Sequence, residues 1–147
     1  MGRLQSRQQN AFSHAEYEIL AEFRYRLAQF LRRRKDAARA EGLQSQQYEL
    51  LLAIAGFCAQ EHPTIKELAA QLCLEHHTVV ELADRLEKQG LLMRRSSKLD
   101  KRAVLLQLTQ AGRTRLKRIV RFSFSHLHEE APILIQSLRR ILQKRTR

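Results

Sequence analysis

Cys73, His76 and His77 stand close together in the stretch LCLEHHTVVELADRLEKQGLL (residues 72–92), with Glu75 and Glu81 beside them. A thiol and two imidazoles at this spacing suggest a metal site, and a thiol alone suggests a redox sensor. Adjacent histidines on a helix point about 100° apart, which argues against their sharing one metal ion. A different chemistry suits the same residues better. On the outer face of a helix, His76 and His77 can donate to guanine or accept from adenine. Val80 can pack on a thymine methyl, and Glu81 can accept from a cytosine amino group. A second cluster follows: Arg94, Arg95, Lys98, Lys101 and Arg102, with Asp100 among them. Cations so placed suit phosphate, and a single Arg102 at a hairpin tip suits a narrow minor groove.

The whole chain supports a polyanionic partner. Its 147 residues carry 27 Lys and Arg against 15 Asp and Glu, a net charge of +12. The basic residues are spread over several segments, so nucleic acid fits better than a membrane surface. No apolar run is long enough to span a bilayer, and MGRLQSRQQN lacks the apolar core of a signal peptide. The expectation is a cytoplasmic protein without a membrane partner. Cys58 and Cys73 form no CxxC pair and are expected to be reduced, partly buried thiols. There is no glycine-rich phosphate loop, no HExxH and no framed pair of carboxylates, so neither an enzyme nor a cofactor is expected.

Positioning these groups requires helices. The first dozen residues are polar and expected to fray. From His14 to about Ala40, Ile19, Leu20, Phe23, Leu27, Phe30 and Leu31 recur at helical spacing, and Gly42 supplies a stop. A second helix is predicted from Ser45 as N-cap, with Tyr48, Leu51, Leu52 and Ile54 inward. Thr64 and Glu67 form a capping box for IKELAAQL. After the turn CLE a further helix runs from His76 to about Gln89, burying Val79, Leu82, Ala83 and Leu86. This is a helix-turn-helix. LLMRRS and AVLLQLT then predict a hairpin, a wing, with Val104, Leu106 and Leu108 on one face. Thr109 caps a helix to about Glu130, and Pro132 is predicted to open a separate final helix.

The segments SQQYELLLAI, TIKELAAQLCLEHHTVVELADRLEKQGLL and RRSSKLDKRAVLLQLTQAG resemble the MarR (multiple-antibiotic-resistance regulator) family of transcriptional regulators. Asp100, Lys101 and Arg102 match that family's Asp-x-Arg wing motif. The resemblance is close over Gln44–Gly112, and outside it rests on position and length. It implies a mainly α protein with a small β-hairpin: residues 1–43 a dimerisation helix, 44–112 the winged helix-turn-helix, 113–147 helices completing the dimerisation region. It further implies a homodimer bound to double-stranded, pseudo-palindromic DNA, acting as a repressor and released by a small-molecule effector. Two departures stand out. Cys73 occupies a position usually held by Gly, and Glu75, Val80 and Glu81 replace the usual Ser, Thr or Arg.

In this frame His76, His77, Thr78, Val80, Glu81 and Arg85 would face the groove. The wing contacts would be Arg94, Arg95, Lys98, Asp100, Lys101 and Arg102, with Asp100 orienting the Arg102 guanidinium or bridging to Arg85. Phe23, Leu27, Phe30, Ile133, Leu134, Leu138 and Ile141 would form the dimer interface. A ligand pocket would lie near Tyr25 and Tyr48. Two other readings stay open: a low-specificity architectural or RNA-binding protein using charge alone, and a metal- or redox-sensing protein using its His and Cys residues.

Overall fold

A computed structural model describes residues 12–57, 59 and 61–144; the frayed start expected for residues 1–11 and the buried thiol expected of Cys58 lie outside them. Five helices and one hairpin follow in order: α1 (His14–Ala40), α2 (Ser45–Gly56), α3 (Ile65–Leu72), α4 (His76–Lys88), β1 (Leu92–Ser96), β2 (Val104–Leu108) and α5 (Gln110–Gln143). Contacts divide the chain into two units, residues 34–125 and residues 1–33 with 126–147.

The unit of residues 34–125 holds the core. Leu50, Leu51 and Ile54 of α2, Leu68 of α3, and Val79, Leu82, Ala83 and Leu86 of α4 are buried together with Leu91, Leu92, Leu106 and Leu108. The inward stripe of α4 is as expected. That of α2 is rotated: Leu52 is 41% exposed, while Leu50 is fully buried. Gln44, not Ser45, caps α2, its N–H donating to Gln47 Oε1 at 2.9 Å, and the Ser45 hydroxyl instead donates to Glu49.

β1 and β2 pair antiparallel from Leu92↔Leu108 to Ser96↔Val104. The expected one-sided face of β2 holds only for Leu106 and Leu108. Val104 is 43% exposed and Leu105 is buried. A third, minimal strand lies beside β2: Thr64 bridges Leu105, and the Leu106 N–H donates to Pro63 O at 2.9 Å. Backbone on both sides of β2 makes it an inner strand of this small sheet.

α5 is one helix with Pro132 inside it, where two helices were expected. Proline removes one backbone donor and crowds the preceding turn, which bends a helix without having to end it. Thr109 caps its start, accepting from the Gly112 N–H at 3.0 Å while its hydroxyl donates to Gly90 O.

Three helix ends share one device. Leu43, Leu74 and Leu91 each donate their N–H to a carbonyl five residues back, on Ala38, Ala69 and Leu86. Each device needs a left-handed residue just before the leucine, and these are Gly42 (φ 74), Cys73 (φ 54) and Gly90 (φ 71). Two glycines meet this demand without a Cβ clash; Cys73 meets it at a cost of about 1 kcal/mol. Cys73→Gly is therefore expected to raise the unfolding free energy by up to about 1 kcal/mol, less some unfolded-chain entropy. Denaturant titration checks this, and a destabilised variant would show that the thiol contributes something the backbone strain conceals.

Candidate nucleic-acid interface

Helical geometry puts His77, Glu81 and Lys88 opposite the buried stripe of α4, and all three are exposed. His76 and Arg85 are exposed at the flanks of this face, and Thr78 and Val80 are half-buried. Among the described residues, no ion pair or side-chain hydrogen bond engages His76, His77, Glu81, Arg85 or Lys88. The outer face of α4 thus presents unpaired donors, one carboxylate and two cations. Cys73, in the turn before it, is exposed, contrary to the partly buried thiol expected, because the left-handed C-cap turns its side chain away from the core.

The wing loop is closed by its own backbone. The Ser97 N–H donates to Ala103 O at 3.2 Å and the Ala103 N–H to Asp100 O at 2.9 Å. Asp100 Oδ1 accepts from the Arg102 N–H at 3.0 Å. The expected role for Asp100, orienting the Arg102 guanidinium or reaching Arg85, is replaced by a backbone one: a short acid two residues back from an N–H makes an Asx turn. Lys98, Lys101 and Arg102 are exposed and carry no ion pair or side-chain bond among the described residues. Leu99, 73% exposed at the same tip, had no part in the sequence reading.

Arg94 and Arg95 differ from these three. Arg95 Nε donates to Gln107 Oε1, its diagonal neighbour across the hairpin, at 3.2 Å. Arg94 reaches back to α4, pairing with Asp84 at 2.6 Å and with Glu87. Burial opposes its charge, yet Asp84 and Glu87 outweigh burial and raise the guanidinium above its ordinary value. Two acids of α4 so hold β1, which explains why a helix in a basic protein is rich in carboxylates.

Glu61 is the residue that sequence reasoning missed. Its carboxylate accepts from the Ser97 hydroxyl and from the Lys98 N–H, the latter at 2.7 Å. The Ser97 hydroxyl first, then the Lys98 N–H, hold this carboxyl below the usual range against the opposing effect of desolvation. Its partners are more than thirty residues away, and no local pattern signals such a contact.

Further cations follow on α5. Lys117 and Arg121 are exposed one turn apart, whereas Arg118 pairs with Glu41 at 3.3 Å and Arg113 reaches Leu108 O. Within the unit of residues 1–33 and 126–147, Ile19 and Ser137 are the buried residues among those described. Phe23, Leu27, Phe30, Leu134 and Ile141 are half-buried; Ile133 and Leu138 are exposed. A cleft of about 320 Å³ there is lined by Phe12, Glu16, Ile19, Leu20, Ile141, Leu142 and Lys144. The two tyrosines expected near a ligand differ. Tyr48 is a core residue, while Tyr25 is 58% exposed, accepts from Gln29 Nε2 and lies 5.8 Å from the Arg26 guanidinium. No group of three or more His, Cys, Asp or Glu suited to a metal ion occurs among the described residues, and none of the described helices is long and apolar enough to cross a membrane.

Residues 43–104 match the MarR family. The fold is similar to that of AbsC, a MarR family transcriptional regulator from Streptomyces coelicolor. The TM-score is 0.72 at 14% identity, over 83% of this chain and 82% of that one. CouR from Rhodococcus jostii, solved with p-coumaroyl-CoA, gives a TM-score of 0.64 at 23% identity, over 79% of this chain and 82% of its own. The M. tuberculosis transcriptional regulator MOSR, solved in complex with DNA, gives 0.57 at 24% identity, over 72% and 78%. No curated protein matches the chain in sequence.

Proposed function

We propose that this protein, whose residues 43–104 match the MarR family, is a homodimeric regulator of transcription that binds a pseudo-palindromic double-stranded operator, represses from it, and is released by a small ligand. The observation that carries the DNA reading is a closed wing loop with exposed Lys98, Lys101 and Arg102 beside a helix on which His76, His77, Glu81, Arg85 and Lys88 have no ion pair or side-chain hydrogen bond among the described residues. Phosphate contacts supply affinity and base edges supply specificity. The wing, Lys117 and Arg121 serve the first. His76, His77, Thr78, Val80, Glu81 and Arg85 serve the second, with Glu81 accepting from a cytosine amino group and so favouring a G·C pair. Arg94 serves neither and instead fixes β1 to α4.

The dimer reading rests on the unit of residues 1–33 and 126–147. Two helical segments that bury so little apolar surface between them need a further partner, and a second copy offers the matching face. The ligand reading rests on kinship alone: CouR was solved with p-coumaroyl-CoA, and a DNA complex of MOSR supports the DNA half.

Selection of bound duplexes from a random pool, followed by salt titration of the selected and a scrambled site, tests this function. The selected site should bind at least about a thousandfold more tightly at physiological salt. Equal affinity at every salt concentration would favour the architectural or RNA-binding alternative.

A further inference from the structure

We propose that Glu61 is the positioning residue of the wing: through Ser97 and the Lys98 N–H it sets the pose in which Lys98, Lys101 and Arg102 meet DNA. The proposal rests on the DNA-binding reading above and adds a residue outside both the helix-turn-helix and the hairpin.

The segment from Glu61 to Thr64 grips the hairpin at two points. At one end, Thr64 bridges Leu105 and Pro63 O accepts from the Leu106 N–H, so this backbone is registered on β2. At the other end, the Glu61 carboxylate takes the Ser97 hydroxyl and the Lys98 N–H. Ser97 is buried, and its oxygen also accepts from the Leu99 N–H at 3.1 Å and the Asp100 N–H at 3.0 Å. Glu61 therefore orients a hydroxyl that in turn organises two further amides of the loop. Free of that carboxylate, the Ser97 hydroxyl could rotate to other acceptors, and the Lys98 N–H would turn to water.

A two-stranded hairpin is marginal by itself and twists freely about its own axis. Its pose over a groove decides whether a tip cation falls within reach of the minor groove, and an arginine misplaced by even about 1 Å loses most of its contact. β1 is held by Arg94 to Asp84 and Glu87, and β2 by Pro63 and Thr64. The loop between them has one external tether in the described structure, and that tether is Glu61. Since Thr64 is also the N-cap of α3, the same short segment times the wing to the helix-turn-helix.

The test is a double-mutant cycle on the full-length protein, with the selected duplex as probe. Glu61→Ala should weaken binding about tenfold, as loss of two charge-assisted hydrogen bonds implies. In a background lacking all three wing cations (Lys98→Ala, Lys101→Ala and Arg102→Ala) the same change should cost less than about twofold, because a residue acting through those cations then has nothing left to position. Ser97→Ala should reproduce the first result. Additive losses, or no loss in Glu61→Ala, would overturn the proposal. A readout free of DNA keeps it distinct from the function it rests on. Amide exchange at Leu99 and Asp100 should accelerate in Glu61→Ala while exchange in the α4 core is unchanged. If the wild type prefers no duplex, the regulatory reading fails, and unaltered exchange would separately remove the tether.

Discussion

Arg102→Ala is expected to weaken operator binding about a hundredfold, close to 2.7 kcal/mol. The Arg102 side chain makes no bond within the described structure, whereas its backbone N–H is held by Asp100. Alanine keeps that N–H, so the loop should retain its shape and the loss should report the guanidinium alone. Its loss should be largest where the flanks are A·T-rich, because a narrow minor groove concentrates negative potential and attracts arginine. Fluorescence anisotropy on duplexes differing only in flanking composition measures this. Equal losses on A·T- and G·C-rich flanks would mean that Arg102 touches phosphate and reads no shape.

Ending the chain after Pro132 is expected to abolish cooperative operator binding, with a loss of about a thousandfold or more. A dimer joins two half-site contacts at high effective concentration, and a monomer must make each one independently. The cut falls within α5, so it removes the last third of a continuous helix. It removes Ile133, Leu134, Leu138 and Ile141 together with Arg140, the ion-pair partner of Glu22. Leu20 and Leu31 of α1 are already exposed in one copy, and Phe23 and Phe30 are half-buried. Sedimentation should show a monomer or an aggregate. A soluble monomer with full affinity for the operator would overturn the obligate dimer and leave the winged helix acting alone.

Local chemistry determined much of this protein from its sequence. Apolar spacing placed α1, α3 and α4, because a helix that must bury one side repeats it every three or four residues. The Thr64–Glu67 capping box and the left-handed demand on Cys73 were legible because each concerns atoms within five residues. The hairpin was legible from the strand-like runs on either side of SKLDKR, whereas the Asp-x-Arg motif was legible only through the family resemblance. What tertiary structure decided involved partners distant in sequence. The pairing of residues 63 and 64 alongside β2, at Leu105 and Leu106, joins segments about forty residues apart. Arg94 reads as a phosphate contact until Asp84 and Glu87 are seen to be within its reach, since a cation's role depends on which anion is nearest. Pro132 stops a helix by local rules, yet α5 continues through it, because one lost backbone bond weighs little against a helix otherwise intact on both sides. Glu61 carries no sequence signal at all. Its function comes from a turn that places a carboxylate beside a loop thirty-six residues away, and only folding creates that proximity.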